Sequence, residues 1–594
     1  MVEKITVFPE GAIHEYQPGM NLSQLLHSLG FKQEYPCGGR GTCGKCRIKI
    51  KGDQLPAAEI SEARMLTDEE LKAGIRLACL VQPKGDVTVW LEKAEEKCRI
   101  LAEGRKVNLE LAPAVGRLRF SLPSLQPADK RSYEEILLAA EPEINSISPL
   151  AIQAFNPEPN KAYVAHIYDG RVMDIEGGTA GTGAFGLALD IGTTTVVAAL
   201  VDLHTGEELA LQSMMNGQKE YGLDVLTRIT YTAEHENGLE ILHKTIIRNI
   251  NALIERLCYD SGIQPHEIYD IAVSANNVML HLLLNISPAS LGLAPFTPVF
   301  CKGKSLPARD IGLLASAKAM VYCLPSIHSY VGADVVAGIY VCQLKKETGK
   351  ALLMDIGTNG EMALFSHGRI LTCSCAAGPA LEGMNISCGM RGSEGALESL
   401  SITPEGVRLN VIGGGEPRGL CGSGVLSAVS ELLRVKLILQ DGRIAKPEEV
   451  ECSQYRWMLE EVNGKKAVKL ATGIYITQSD IRQVQLAKGA LLAGFSALLE
   501  QGKIAVEDLD KVFIAGQFGA HLPVESLVGC GILPAALADK IHYAGNSSKN
   551  GAYAALLSVK ARQEMEDIAA EKGYFDLNMI PGFQTLFIKC LPFP

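Results

Sequence analysis

Four cysteines with the spacing Cys37-x5-Cys43-x2-Cys46-x32-Cys79 lie in and beyond the stretch CGGRGTCGKC. Three thiolates from one tight loop and a fourth from further along suit a [2Fe–2S] cluster, which takes four cysteine sulfurs. Gly38, Gly39, Gly41 and Gly44 fall between these ligands, where a backbone wrapping closely around sulfide needs positive φ angles and N–H groups aimed at sulfur. A structural zinc site asks for paired Cys-x2-Cys knuckles, and only Cys43 and Cys46 form one. The other twelve of the sixteen cysteines, Cys98 to Cys590, are mostly isolated in apolar segments and read as buried free thiols. With a start, MVEKITVFPEG, that reads as strand and turn rather than leader, the expectation is a reducing cytoplasm without disulfides.

A second kind of chemistry is written further along. Phe185-Gly-Leu-Ala-Leu-Asp190-Ile-Gly192-Thr193-Thr194-Thr195 leads into an apolar run that ends at Asp202, which predicts a buried hairpin with an aspartate at its tip. The pattern returns 165 residues later at Asp355-Ile-Gly357-Thr358-Asn359-Gly360-Glu361, an internal duplication that matches Asp190 to Asp355. Two such hairpins facing each other can clamp a polyphosphate. Backbone N–H groups and threonine hydroxyls serve phosphate oxygens, glycine lets the main chain approach, and carboxylates hold Mg²⁺ through water. Lys511-Val-Phe-Ile-Ala-Gly516-Gln517-Phe518-Gly519 is a strand entering a small-residue turn, against which a base and ribose can lie. Together these stretches resemble the first phosphate, second phosphate and adenosine motifs of the superfamily of acetate and sugar kinases, heat-shock chaperone ATPases and actin. ATP and Mg²⁺ are the ligands that this resemblance implies, with Asp190, Asp355 and Glu361 all candidates to hold the metal or to orient the attacking water. Gly413 to Gly415 and Leu420-Cys-Gly-Ser-Gly424 read as further turns or helix starts. His281 and His521, on apolar or turn segments, read as packed residues rather than ligands.

The elements that must position these groups imply several folding units, because 594 residues are too many for one core. Ile5, Val7 and the turn Pro9-Glu10-Gly11 predict a hairpin, Leu22 to Leu29 a helix, Cys46 to Gly52 a strand and Val87 to Leu91 a closing strand. That order matches a β-grasp ferredoxin over residues 1–92, with 93–105 as a charged linker. Residues 106–183, with an alternating strand at Val107 to Leu111, a helix at Tyr133 to Ala140 and a glycine-rich end, predict a small α+β middle domain. Residues 184–594 then form a duplicated actin-like (ribonuclease H-like) ATPase domain, so the whole is an α/β multidomain chain. A net charge of −11 without a basic block excludes a nucleic-acid role. No apolar run approaches the roughly 18 residues of a membrane span.

The five-residue first gap is similar to the adrenodoxin-like ferredoxins, and the whole chain resembles the reductive activators of corrinoid proteins. Supporting stretches are Asn216 to Ile229, Ser274 to His281, Gly332 to Gly338 and Ile476 to Gly489, with Gly217 standing where the family's stretch reads Asn-Pro-Gln. The resemblance implies a one-electron transfer from the cluster to Co(II) of a corrinoid protein, restoring Co(I), driven by ATP because plant-type clusters lie near about −400 mV and the acceptor lies lower. It implies a homodimer, an upstream low-potential reductant, and an approach of Ser393 and Glu394 to cobalt. Rival readings are an ATP-coupled donor to another low-potential enzyme, a nucleotide-sensing docking module, and a small-molecule kinase.

Overall fold

The computed structural model describes residues 3–9, 11–31, 39, 41, 44, 46–52, 54–63, 65–91, 104–105, 107–124, 129–140, 144–178, 183–403, 405–462, 464–516 and 522–594. Alternating Ile5 and Val7, Ile48 and Ile50, and Val87 and Val89 turn one sheet face inward onto Leu22 and Leu26 of the helix Leu22–Ser28. The result is a five-stranded sheet in the order Ala12–Tyr16, Glu3–Phe8, Val87–Trp90, Arg47–Gly52, Ile75–Leu77. Its first and last long strands, Glu3–Phe8 and Val87–Trp90, run parallel, and Arg47–Gly52 returns antiparallel. This is a β-grasp. Glu62, fully buried, accepts from Arg76 Nε at 2.8 Å, Arg76 Nη2 at 2.7 Å and the Leu77 backbone at 2.7 Å, which fixes the strand that leads to Cys79.

A small four-stranded sheet follows, ordered Val115–Ser121, Ala162–Tyr168, Arg171–Gly177, Ser146–Ile147, with the helices Tyr133–Ala140 and Pro149–Ala154. The alternating segment Val107 to Leu111 is not a strand. Val107 and Leu109 pack on the large core that follows, and Ala112 pairs with helix ends, donating to Leu557 O and accepting from Val559 N, both at 2.9 Å. Its period of two therefore records burial against a neighbour rather than sheet pairing.

Beyond residue 184 the duplication becomes visible in the topology. One sheet is ordered Glu208–Met215, Thr195–Asp202, Phe185–Ile191, Ile268–Ala275, Met320–Cys323, with Lys304–Pro307 added at the edge. The other is ordered Arg369–Cys375, Gly360–Ser366, Ala351–Ile356, Lys511–Ala515, Ile541–Gly545. In each, three antiparallel strands precede two parallel ones. Each lobe has its own apolar core. The helix Ser547–Leu557 leaves the last strand of the second lobe to pack with the first-lobe core and against Ala333–Val341, so closely that a Cβ on Gly551 would meet Ala337 Cβ at 2.3 Å. No described helix is long and apolar enough to cross a membrane.

Candidate functional site

Two thiols of the cysteine set are described. Cys46 leaves the cluster loop for the strand Arg47–Gly52, Cys79 follows Ile75–Leu77, and both are buried with sulfurs 3.3 Å apart. That distance is too long for a disulfide and brings two thiolates to one centre. Gly39, Gly41 and Gly44 have φ of 82°, 70° and 64°, the left-handed backbone that the loop requires, and a Cβ on Gly39 would lie 3.9 Å from Cys79 Cβ. Soft sulfur donors on a glycine-rich loop fit an iron–sulfur group. Cys37 and Cys43 lie outside the described residues.

The two aspartate hairpins face a common site. In the first, Asp190 sits one residue before the end of Phe185–Ile191, and Gly192-Thr193-Thr194 makes the turn into Thr195–Asp202, closed by Gly192 N to Thr195 O at 2.8 Å. Asn546 Nδ2 donates to Asp190 Oδ2 at 2.9 Å and Ser548 Oγ to Oδ1 at 2.7 Å, so the start of the crossing helix holds this carboxylate. Asn276 Nδ2 reaches Thr193 Oγ1 at 3.1 Å, and Asn216 Nδ2 reaches Gly192 O at 2.9 Å. Arg228, fully buried, donates to Thr193 O, Gly222 O and Gln218 Oε1. Gly217 donates its N–H to Asn249 Oδ1 at 2.7 Å, a bond that a proline there could not make.

In the second hairpin Asp355 lies directly across from Glu361 on the neighbouring strand, and Gly357-Thr358-Asn359 turns between them, closed by Gly357 N to Asn359 O at 2.9 Å. Gly516, with φ of 90°, ends Lys511–Ala515 against this carboxylate, and a Cβ there would meet Asp355 Oδ1 at 2.4 Å. Gln517 and His521 lie outside the described residues.

Five carboxylates share this region. Burial, then the neighbouring Asp334 and Asp190, push Asp355 up to about 7. Burial and Asp190 push Asp334 to about 6. Burial, reinforced by Asp334 and Asp355, holds Glu361 well above the usual carboxylate range, and burial raises Asp190 and Glu382. Among the described residues no group of three or more His, Cys, Asp or Glu is placed to hold a bare metal ion. Hard oxygen donors of this kind fit Mg²⁺ carried in with phosphates and water, its usual manner of binding.

Ser393 and Glu394 lie on a loop beyond the second hairpin. Ser393 is buried, 2 % exposed, with its N–H on Arg391 O at 2.8 Å, while Glu394 is exposed. Gly413, of the left-handed run Gly413 to Gly415, lies under Glu394, where its Cβ would meet Glu394 Cγ at 2.8 Å. That glycine run therefore belongs to this loop, and Gly422 starts the helix Gly422–Arg434. His281 is fully buried, its Nδ1 2.7 Å from Asn277 O.

Asp334, Asn276, Asn216 and Arg228 fall in family-like stretches but carry no isolated signal of function. Asn546, Ser548 and Glu382 are found only by folding the chain. A capping asparagine after the strand Ile541–Gly545 was the one hint of Asn546, whose side chain also accepts from Lys549 N at 2.8 Å.

Comparison with known proteins adds the following. A family model described as a 2Fe-2S iron-sulfur cluster binding domain matches residues 5–84. One described as the RACo middle region matches 185–347, and one described as the C-terminal domain of RACo, the ASKHA domain, matches 349–594. The chain is 30% identical over 584 residues to the corrinoid activation enzyme RamQ of Eubacterium limosum, covering 96% of this chain and 95% of that one. It is 28% identical over 397 residues to the [Co(II) methylated amine-specific corrinoid protein] reductase of Methanosarcina barkeri, covering 61% and 68%. A solved reductive activator for a corrinoid, iron-sulfur protein superposes with a TM-score of 0.73 at 31% identity, over 100% of this chain and 98% of that one.

Proposed function

Because the chain belongs to the family of reductive activators of corrinoid proteins, we propose that it uses ATP to drive one electron from its iron–sulfur domain onto inactive Co(II) of a corrinoid protein, restoring Co(I). The observation that carries this is the union, in one chain, of a cysteine-bearing β-grasp with two aspartate hairpins on facing lobes. Cys37, Cys43, Cys46 and Cys79 would hold a [2Fe–2S] cluster, which would supply the one-electron chemistry. Thr193, Thr194, Thr358 and Asn359 present hydroxyls and amides to the phosphates, and Gly192 and Gly357 let the backbone approach. Asp190 and Asp355 receive the hydrated Mg²⁺, Glu361 orients the attacking water, and Gly516 with Gln517 borders the nucleoside. Charge neutralisation between the lobes favours their closure, which alters the surface met by the corrinoid protein, a coupling of two binding sites.

Glu394 is the carboxylate presented to the cobalt centre, and Ser393 joins it when the loop shifts. An upstream low-potential reductant refills the cluster, and the chain works as a homodimer in the cytoplasm. The test is anaerobic: the reduced protein is mixed with a Co(II) corrinoid protein with and without Mg-ATP, and the Co(I) absorption band is followed. Co(I) formation that depends on ATP, and that Glu394→Ala slows by about tenfold or more while ATP hydrolysis persists, is the expected result. No effect of ATP across several corrinoid partners overturns the reading.

A further inference from the structure

Glu382 closes the short turn Pro379–Glu382 and is 6 % exposed. Thr358 Oγ1, in the second hairpin turn, donates to Glu382 Oε1. The Thr194 hydroxyl, from the first lobe, and the Arg391 guanidinium both lie close enough to favour its ionised form. One buried side chain therefore joins both phosphate turns to a residue of the loop that carries Ser393 and Glu394.

The backbone makes the same connection. At the start of the turn, Gly378 N donates to Thr358 O at 2.8 Å. At its end Gly383, with φ of 75°, lies so near the loop that its Cβ would meet Met390 O at 2.6 Å, and a Cβ on Gly389 would fall 1.8 Å from Gly383 O. Bare backbone thus packs on bare backbone, and a shift at Thr358 passes to Met390 and Arg391 without slack, since close-packed contacts transmit displacement.

We propose that Glu382 is the positioning residue through which bound phosphate moves the loop from Met390 to Gly395. A threonine hydroxyl has one proton to donate. When phosphate oxygens claim those of Thr194 and Thr358, Glu382 loses the Thr358 bond and the nearby Thr194 dipole and is repelled by the new anion in a water-poor site. Arg391 is its remaining counter-charge. The carboxylate turns toward Arg391, whose backbone oxygen holds the Ser393 N–H at 2.8 Å, and the buried serine is re-aimed. No covalent bond or proton is exchanged; only hydrogen-bond partners change. The inference rests on nucleotide binding between the hairpins and does not require that the loop touch cobalt.

The test is hydrogen–deuterium exchange of the full, cluster-loaded chain with and without Mg²⁺ and a non-hydrolysable ATP analogue. In the wild type, nucleotide slows exchange at 192–195 and 357–360 and changes it at least threefold at 388–395. In Glu382→Gln the first two changes persist and the third is lost. Arg391→Gln gives the same pattern and carries the test should Glu382→Gln not fold. An undiminished change at 388–395 in both variants overturns the role of Glu382. Wild-type protection at 192–195 and 357–360 without change at 388–395 overturns the coupling while leaving the nucleotide site intact. No protection at either turn overturns the nucleotide reading and this inference with it.

Discussion

Asp355 has few compensating groups, since burial and the charges of Asp334 and Asp190 all raise its pKa, to about 7 from 3.8. The folded chain therefore keeps a proton that the unfolded chain has already lost between about pH 4 and pH 7. Stability falls as pH rises through that window and levels off above it, by on the order of a few kcal/mol at about 1.4 kcal/mol per unit. A cation brought in with phosphates offsets this penalty only where the carboxylates are ionised. The expected outcome is that Mg²⁺ with a non-hydrolysable ATP analogue raises the melting temperature more at pH 8 than at pH 5.5. Asp355→Asn is expected to melt higher than wild type at pH 8 without ligand, and to lose the ligand's effect; thermal unfolding at the two pH values checks both. Asp190 and Asp355 were legible because each stands near the end of its own apolar strand and the pattern repeats. Asp334 and Glu382 were not, because they reach the same space from a helix start and a short turn, and convergence of distant elements leaves no local period to read.

Elements owe their shape to what they pack against, and Gly516 shows this most sharply. With φ of 90°, it ends the strand Lys511–Ala515 where a methyl group would lie 2.4 Å from Asp355 Oδ1 and 2.7 Å from Ile356 O. Gly368, in the turn between Gly360–Ser366 and Arg369–Cys375, has φ of 74° but nothing within 4 Å of a Cβ. Gly368→Ala should cost about 1–2 kcal/mol of backbone strain alone. Gly516→Ala should add overpacking of about 1–3 kcal/mol and weaken nucleotide binding about tenfold or more. Denaturant midpoints and a nucleotide titration on both variants separate the two contributions, and equal nucleotide affinity would show that the glycine serves the turn only. The hairpins and the β-grasp strands were readable because apolar alternation and glycine turns agreed. Val107 to Leu111 misled because Val107 and Leu109 face a lobe core while Ala112, just beyond, bonds to helix ends. Gly413 to Gly415 read as a turn, but that Gly413 lies under Glu394 is set by a distant loop and leaves no local signal.

At the scale of the whole molecule, electron delivery requires that the iron–sulfur domain both rest somewhere and leave. Its helix Leu22–Ser28 meets the first lobe at His27, which lies 3.4 Å from a Glu220 carboxylate oxygen, with its Nε2 3.5 Å from the Tyr221 hydroxyl and its ring edge-on to Tyr221 at 5.9 Å. Glu220 ends the turn Gly217–Glu220, whose Gln218 is bonded by Arg228, the same side chain that holds Thr193 O in the first phosphate turn. The resting place is thus built on an element braced to the nucleotide site. Partly exposed contacts of this kind are worth about 0–1 kcal/mol each, and domains joined by small interfaces move relative to one another by default. At the other end of the joint, Gly104 and Arg105 are pinned: Arg105 N donates to Ala544 O at 2.9 Å, Asn550 Nδ2 donates to Arg105 O at 2.8 Å, and the guanidinium lies 5.3 Å over the Phe513 ring. That anchor adjoins Asn546, the donor to Asp190. A pinned anchor and a weak dock together predict that the iron–sulfur domain leaves the first lobe at small energetic cost. His27→Ala should leave global stability within about 1 kcal/mol of wild type, yet enlarge the radius of gyration of the full chain in small-angle scattering and speed amide exchange in Leu22–Ser28. A variant as compact as wild type, with unaltered exchange in that helix, would place the dock elsewhere.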